Sequence, residues 1–203
     1  NGSTVWVSNG MYVGLLTVNK GVTVRSANGA EATTILGSSS RCVNLSNAAA
    51  VGSGSARTGG TADWGGGAYV AAGVLECCII RDNQAFGVTQ SSSDEWGHHE
   101  VRRNTSRGGG VYGGALRNCQ IFNNTASSYE QNGAEAYGGG TFGSALQNCL
   151  VRNNHTSAFT PMGSGTSTGG GCYGGTLRNC TISENQTWAA ESASGGGATP
   201  AWC

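Results

Sequence analysis

Hydrophobic positions between residues 65 and 203 recur in one short phrase rather than in the spacing of helices. Aligned on glycine triplets, the phrase reads GGGAYVAAGVLECCIIRDNQA (65 to 85), GGGVYGGALRNCQIFNNTA (108 to 126), GGGTFGSALQNCLVRNNHT (138 to 156) and GGGCYGGTLRNCTISENQT (169 to 187), and a fifth copy opens at Gly195. Each copy carries an aromatic, then a leucine (Leu75, Leu116, Leu146, Leu177), then a cysteine (Cys78, Cys119, Cys149, Cys180). Two residues after the cysteine stands Ile80, Ile121, Val151 or Ile182, and the copy closes on Asn83, Asn124, Asn154 or Asn185. Cys-x-Ile between polar neighbours is the period-2 alternation of a strand with one buried face, and no 3.6-residue period competes with it.

Two or three short strands broken by glycine and by an Asn bend (Asn118, Asn148, Asn179) cannot bury a core alone. Stacked about 4.8 Å apart on copies of themselves they can, with each residue over its equivalent. The expected fold is therefore all-β: a right-handed single-stranded parallel β-helix, or β-solenoid, of about six to seven coils. It forms one domain over 1–203, with divergent coils over 1–64 and repeats over 65–203. The Leu, Cys and Asn columns become internal ladders. The closing Asn is expected in a left-handed bend, its side chain bonded to the Asn of the next coil. The stretch from Ala48 to Trp64, mostly small residues, predicts an irregular or thin-walled coil.

The phrase resembles the repeats of secreted bacterial right-handed parallel β-helix proteins, the group related to polymorphic outer-membrane-protein repeats. TVWVSNGMYVG, GVTVRSANGAEATTILG and RCVNLSN are similar to their opening coils. The resemblance implies the fold and an extracellular or cell-surface setting, and it implies no particular activity.

Composition narrows the function classes. Eleven acidic and 11 basic residues leave no net charge, so no basic stripe is available for nucleic acid. No apolar run of about 18 residues predicts membrane insertion. Glycine at 36 residues with only 2 prolines fits ordered tight corners. No cofactor is implied.

Candidate chemistry lies in the segments between each closing Asn and the next triplet, read as long loops on one side. They carry Trp96, Tyr129, Phe159 and Trp188, which could stack on sugar rings, on a neighbouring subunit, or against their own loops. Asp94, Glu95, His98, His99 and Glu100 form the densest polar cluster, but adjacent histidines match no standard metal spacing, so no metal site is assigned. Outward columns such as Glu76, Arg117, Gln147 and Arg178 repeat no carboxylate, so no catalytic residue is assigned. The ladder cysteines read as free packed thiols, with a Cys78–Cys119 or Cys149–Cys180 bridge as the alternative. Off the ladder, Cys42, Cys77, Cys172 and Cys203 are the better disulfide candidates. Asn104 and Asn123 head N-x-Ser/Thr triplets and are candidate glycosylation sites.

Neither terminus carries an amphipathic cap, and the chain opens at Asn1 without Met, as a processed protein or a fragment would. The expectation is a structural protein whose copies stack head to tail into surface or matrix filaments, with Cys203 available to lock the contact. The alternatives are glycan binding or polysaccharide modification on the loop side, or a passenger segment of a larger adhesin.

Overall fold

The computed structural model describes residues 2–92, 101–131 and 133–199. The described chain is all strand and turn, with no helix, and its strands form four long sheets of 11, seven, five and five strands. Each copy gives one segment to each sheet in turn. In the second copy these are Val111–Arg117, Gln120–Phe122, Thr125–Tyr129 and Gly133–Tyr137. Every described pairing is parallel except that of Val88–Ser92 with Val101–Arg107, a hairpin in the longest insertion.

The pairings run in register along the columns that the sequence predicts. Leu75, Leu116, Leu146 and Leu177 face one another across successive copies, as do Ile80, Ile121, Val151 and Ile182. With Cys78, Cys119 and Cys149 they make the main core. Each fully buried Leu or Ile contributes roughly 1.5–3 kcal/mol over leaving it in water, so one aliphatic pair per copy sustains the stack. Val43–Ser53 pairs with Ala68–Glu76 through register shifts on both sides of Ser46, at the entry to the small-residue stretch, whereas Ala56–Thr58 and Thr61–Ala62 within that stretch pair in register.

The glycine triplet closes each copy on its own asparagine. Gly108 has φ +64°, where a side chain is strained. A Cβ on Gly109 would lie 2.4 Å from the Thr125 carbonyl, and one on Gly110 would lie 3.0 Å from the Asn124 amide carbon. Backbone therefore presses directly on the closing turn, and only three glycines allow it. The left-handed residue of that turn is not the closing Asn, as expected from sequence, but the one before it: Asp82, Asn123, Asn153 and Glu184 have φ of 52–56°. This bend turns the following Asn inward. Asn83 Nδ2 donates to Asn124 Oδ1, Asn124 to Asn154 and Asn154 to Asn185, each at 2.9 Å.

The segments read as loops are strands, which corrects the expected loop face. Thr125–Tyr129, His155–Phe159 and Gln186–Ala189 stack in one five-stranded sheet, and Gly133–Tyr137, Ser164–Thr168 and Ser192–Ser194 in the other. Their inward residues are small: Ala134, Ala136 and Ala158 form a second core beside Ser106, Ser128, Thr156 and Ser167. Hydroxyls buried there bond one another, Ser128 to Ser106 at 3.1 Å and Ser167 to Thr156 at 2.7 Å. Each copy thus has two compartments, one aliphatic and one of Ala, Ser and Thr, with the Gly–Asn contact between them.

Candidate functional site

Side chains converge at four places: an aromatic corner, an outer aromatic ladder, the thiol column and an open apolar end. The corner lies where the strand after each triplet meets the strand before it. Tyr69, Tyr112, Phe142 and Tyr173 stack in register with ring centroids 5.2–5.3 Å apart and planes within 15° of parallel. Beside them runs a second file of Trp64, Arg107, Tyr137 and Thr168. The Arg107 guanidinium sits 5.4 Å from both the Trp64 and Phe142 rings, and Arg41 caps Tyr69 at 4.9 Å. Burial, then the Glu135 carboxylate and the neighbouring Tyr173, push the Tyr137 phenol up to about 12. These files fill the corner with cation–π and ring contacts and join the two compartments from outside.

The outer ladder brings together three of the four predicted loop-face aromatics. Tyr129, Phe159 and Trp188 are exposed and stack at 5.5 and 5.9 Å, within 11° of parallel. Because the rings cover one another's faces, the ladder offers solvent mostly edges, whereas stacking on a sugar needs an open face. Trp96 lies outside the described residues, as do Asp94, Glu95, His98, His99 and Glu100. Among the described residues no cluster of three His, Cys, Asp or Glu side chains is placed to hold a metal.

No family model and no curated protein matches this chain.

The described cysteines are all free thiols. Cys42 is buried, its sulfur 3.4 Å from the Thr58 carbonyl and 3.6 Å from Asn83 Oδ1, and burial pushes its thiol up. Cys77 is exposed at a left-handed turn, and Cys172 is buried in the column of Val111 and Thr141. The three stand in different columns, so the candidate disulfides among them are not formed, and Cys203 lies outside the described residues. Each ladder cysteine has its sulfur near the carbonyl two residues earlier, at 3.0 Å for Cys78, 3.2 Å for Cys119 and 3.3 Å for Cys149 and Cys180.

Of the glycosylation candidates, Asn123 is exposed, with Nδ2 3.3 Å from Asp82 Oδ1. Asn104 is half-buried and donates to the Gly87 carbonyl at 2.8 Å. Outward arginines are spaced by other residues: Arg117 lies between Glu76 and Gln147, and Arg152 over the Phe122 ring at 5.0 Å.

One end of the stack is apolar and open. Val5, Val7, Tyr12, Val13, Leu15 and Leu16 border a cavity of about 520 Å³ that reaches inward to Ser53 and Ser55. Val13 is 67% exposed and Val5 50%, values foreign to residues that continue a core.

The residue that the sequence reading missed is Arg57. It is the largest fully buried side chain, 1% exposed, in the column where other copies carry Ile35, Ile80 and Ile121. Its signal was available: Gly52 stands where the leucine column runs, in the same copy. A Cβ on Gly52 would lie 2.8 Å from Arg57 Nη2, so the glycine makes room for the guanidinium.

Proposed function

We propose that the chain is a structural protein, a right-handed single-stranded parallel β-helix that works outside the cell as a rod and joins second copies of itself end to end. The observation that carries the reading is the open apolar face bordered by Val5, Val7, Tyr12 and Val13, flanked by the outer edges of Thr4–Val7 and Gly10–Val13, which no strand pairs among the described residues. Each edge strand offers backbone donors and acceptors in the spacing that a parallel neighbour requires. The far end offers the matching columns, with Leu177, Cys180 and Ile182 partly buried and packed on the core. A heterologous contact of this kind does not close, so it propagates. The absence of net charge leaves little long-range repulsion between copies. The extracellular setting rests on the resemblance of the repeat.

Light scattering of the purified chain over a concentration series tests the reading. Growth of elongated species that Val13→Asp abolishes, with circular dichroism unchanged, is the expected result. A monomer at all concentrations overturns it.

A further inference from the structure

The two faces of the stack are stepped in the same sense. Leu16–Val18 pairs with Val43–Ser53 on one side and with no described strand on the other, while Thr4–Val7 and Gly10–Val13 stand one step further out in their own columns. At the far face Ala198–Thr199 lies in the column of Leu16–Val18, one step beyond Thr176–Arg178 and Thr181–Ser183. One face lacks a strand in this column, and the other carries a strand too many. The cavity of about 520 Å³ is that vacancy: Leu16 and Val18 line it on the inner side, and Val5, Val7 and Tyr12 line it from the outermost strands.

The two faces also match in chemistry, column by column. Val5 heads the column that ends in Leu177. Tyr12 heads the one that ends in Ile182. The outward column beside them opens on Trp6, 64% exposed, and closes on the exposed Arg178. Among the described residues Trp6 has no ring or cation contact, and Arg178 has no ion pair or ring contact. Strands in register already join a cation to a ring within the chain, where Arg152 pairs with Phe122 and lies 5.0 Å from its ring.

We propose, resting on the end-to-end reading above, that copies join in a single register: Ala198–Thr199 of one copy enters the vacancy over Leu16–Val18 of the next, Leu177 covers Val5, Ile182 covers Tyr12, and the Arg178 guanidinium caps the Trp6 ring.

In this register the chain path continues from copy to copy. Ala198–Thr199 then precedes Thr4–Val7 of its neighbour in the same layer, as Cys172–Tyr173 precedes Thr176–Arg178 within the chain. The two five-stranded sheets stay unjoined. They begin at Thr61–Ala62 and Val88–Ser92, and Thr61–Ala62 follows Ala56–Thr58, which lies two steps in from Gly10–Val13. Gln186–Ala189 and Ser192–Ser194 therefore meet no strand of the next copy, and their outer edges remain open at each join. Turning one copy about the axis until Gly10–Val13 met Gln186–Ala189 would pair one of those edges, but it would leave the vacancy over Leu16–Val18 unfilled and Trp6 and Arg178 apart.

The test mixes Thr4→Cys and Thr176→Cys chains. Both residues are exposed, and in the proposed register they face each other across one strand spacing of about 4.8 Å, within the Cα separation that a disulfide spans. Mild oxidation of the assembled mixture followed by peptide mapping should find positions 4 and 176 bridged, whereas Thr4→Cys mixed with Thr181→Cys should give no such bridge. On the unaltered chain, hydrogen exchange should show Thr4–Val7 and Gly10–Val13 gaining protection on assembly while Gln186–Ala189 gains none. Arg178→Gln should raise the concentration at which elongated species form by about two- to fivefold, and should raise it no further in Trp6→Ala. A bridge between positions 4 and 181, or new protection at Gln186–Ala189, overturns the register and leaves end-to-end growth standing; no growth over the concentration series overturns both.

Discussion

Replacing Asn124 by alanine removes the middle of the internal amide ladder and leaves named groups stranded. The Asn124 Oδ1 accepts from the Asn83 backbone N–H at 3.1 Å and from Asn83 Nδ2 at 2.9 Å. Its Nδ2 donates to the Ile80 carbonyl at 2.9 Å, the Phe122 carbonyl at 3.0 Å and Asn154 Oδ1 at 2.9 Å. Asn124 is 0% exposed, so water does not replace these partners without a path inward. Alanine strands two buried donors on Asn83, and at ~1–3 kcal/mol for each unsatisfied group the loss is about 4 kcal/mol. The proper control is Asn148→Gly. Asn148 is exposed, has φ 54°, donates from Nδ2 to Asn118 Oδ1 and accepts at Oδ1 from Asn179 Nδ2, each at 3.2 Å. Glycine keeps its left-handed backbone without strain, and the expected change is within about 0.5 kcal/mol. Guanidinium unfolding at equilibrium measures both, read from the midpoint at unchanged slope. A loss below about 1 kcal/mol for Asn124→Ala, or equal losses for the two variants, would refute the assignment of stability to the inner ladder.

Three further outcomes are expected. Gly109→Ala drives a Cβ against the Gly139 and Thr125 carbonyls and should prevent folding, whereas Gly143→Ala, with φ +64° and open space around it, should cost only about 1–2 kcal/mol for the left-handed backbone; thermal melts by circular dichroism distinguish them. Arg107→Ala removes two cation–π contacts from the corner and should lower stability by about 1–2 kcal/mol in denaturant titration, with Arg107→Lys recovering part of it. Tyr137 is raised to about 12, above the ordinary value near 10, so between these pH values the unfolded chain has lost a proton that the folded chain keeps; stability should fall as pH rises through that window, and Tyr137→Phe should show a shallower fall in melting temperature.

The aliphatic compartment was legible in the sequence because Leu116, Cys119 and Ile121 contrast sharply with Arg117, Asn118 and Gln120 along short strands, and because the copies repeat. The second compartment was not. Thr125, Ala126, Ser127 and Ser128 alternate in burial but hardly in hydrophobicity, so a strand there carries no contrast to read. What holds it is register with the next copy, which backbone spacing enforces and side-chain type does not announce. The bend before each Asn was misplaced by one residue for a related reason: Asn123 and Asn124 are chemically alike, and only the three-dimensional path separates the residue that turns from the residue that bonds. Arg57 was missed because it lies one copy upstream of the first clear repeat. Placing VGSGSARTGG beneath VLECCIIRDN sets Gly52 under Leu75 and Arg57 under Ile80, and that exchange of a large apolar pair for a glycine and a cation was the one departure with chemical content.

The central claim, that copies extend the stack by pairing strand to strand along its axis, has a direct measurement in fibre diffraction from aligned assemblies of the purified chain. The account predicts a reflection near 4.8 Å on the meridian, with strands perpendicular to the filament axis as they are within each copy. Filaments with that spacing on the equator would mean side-by-side association and would contradict it.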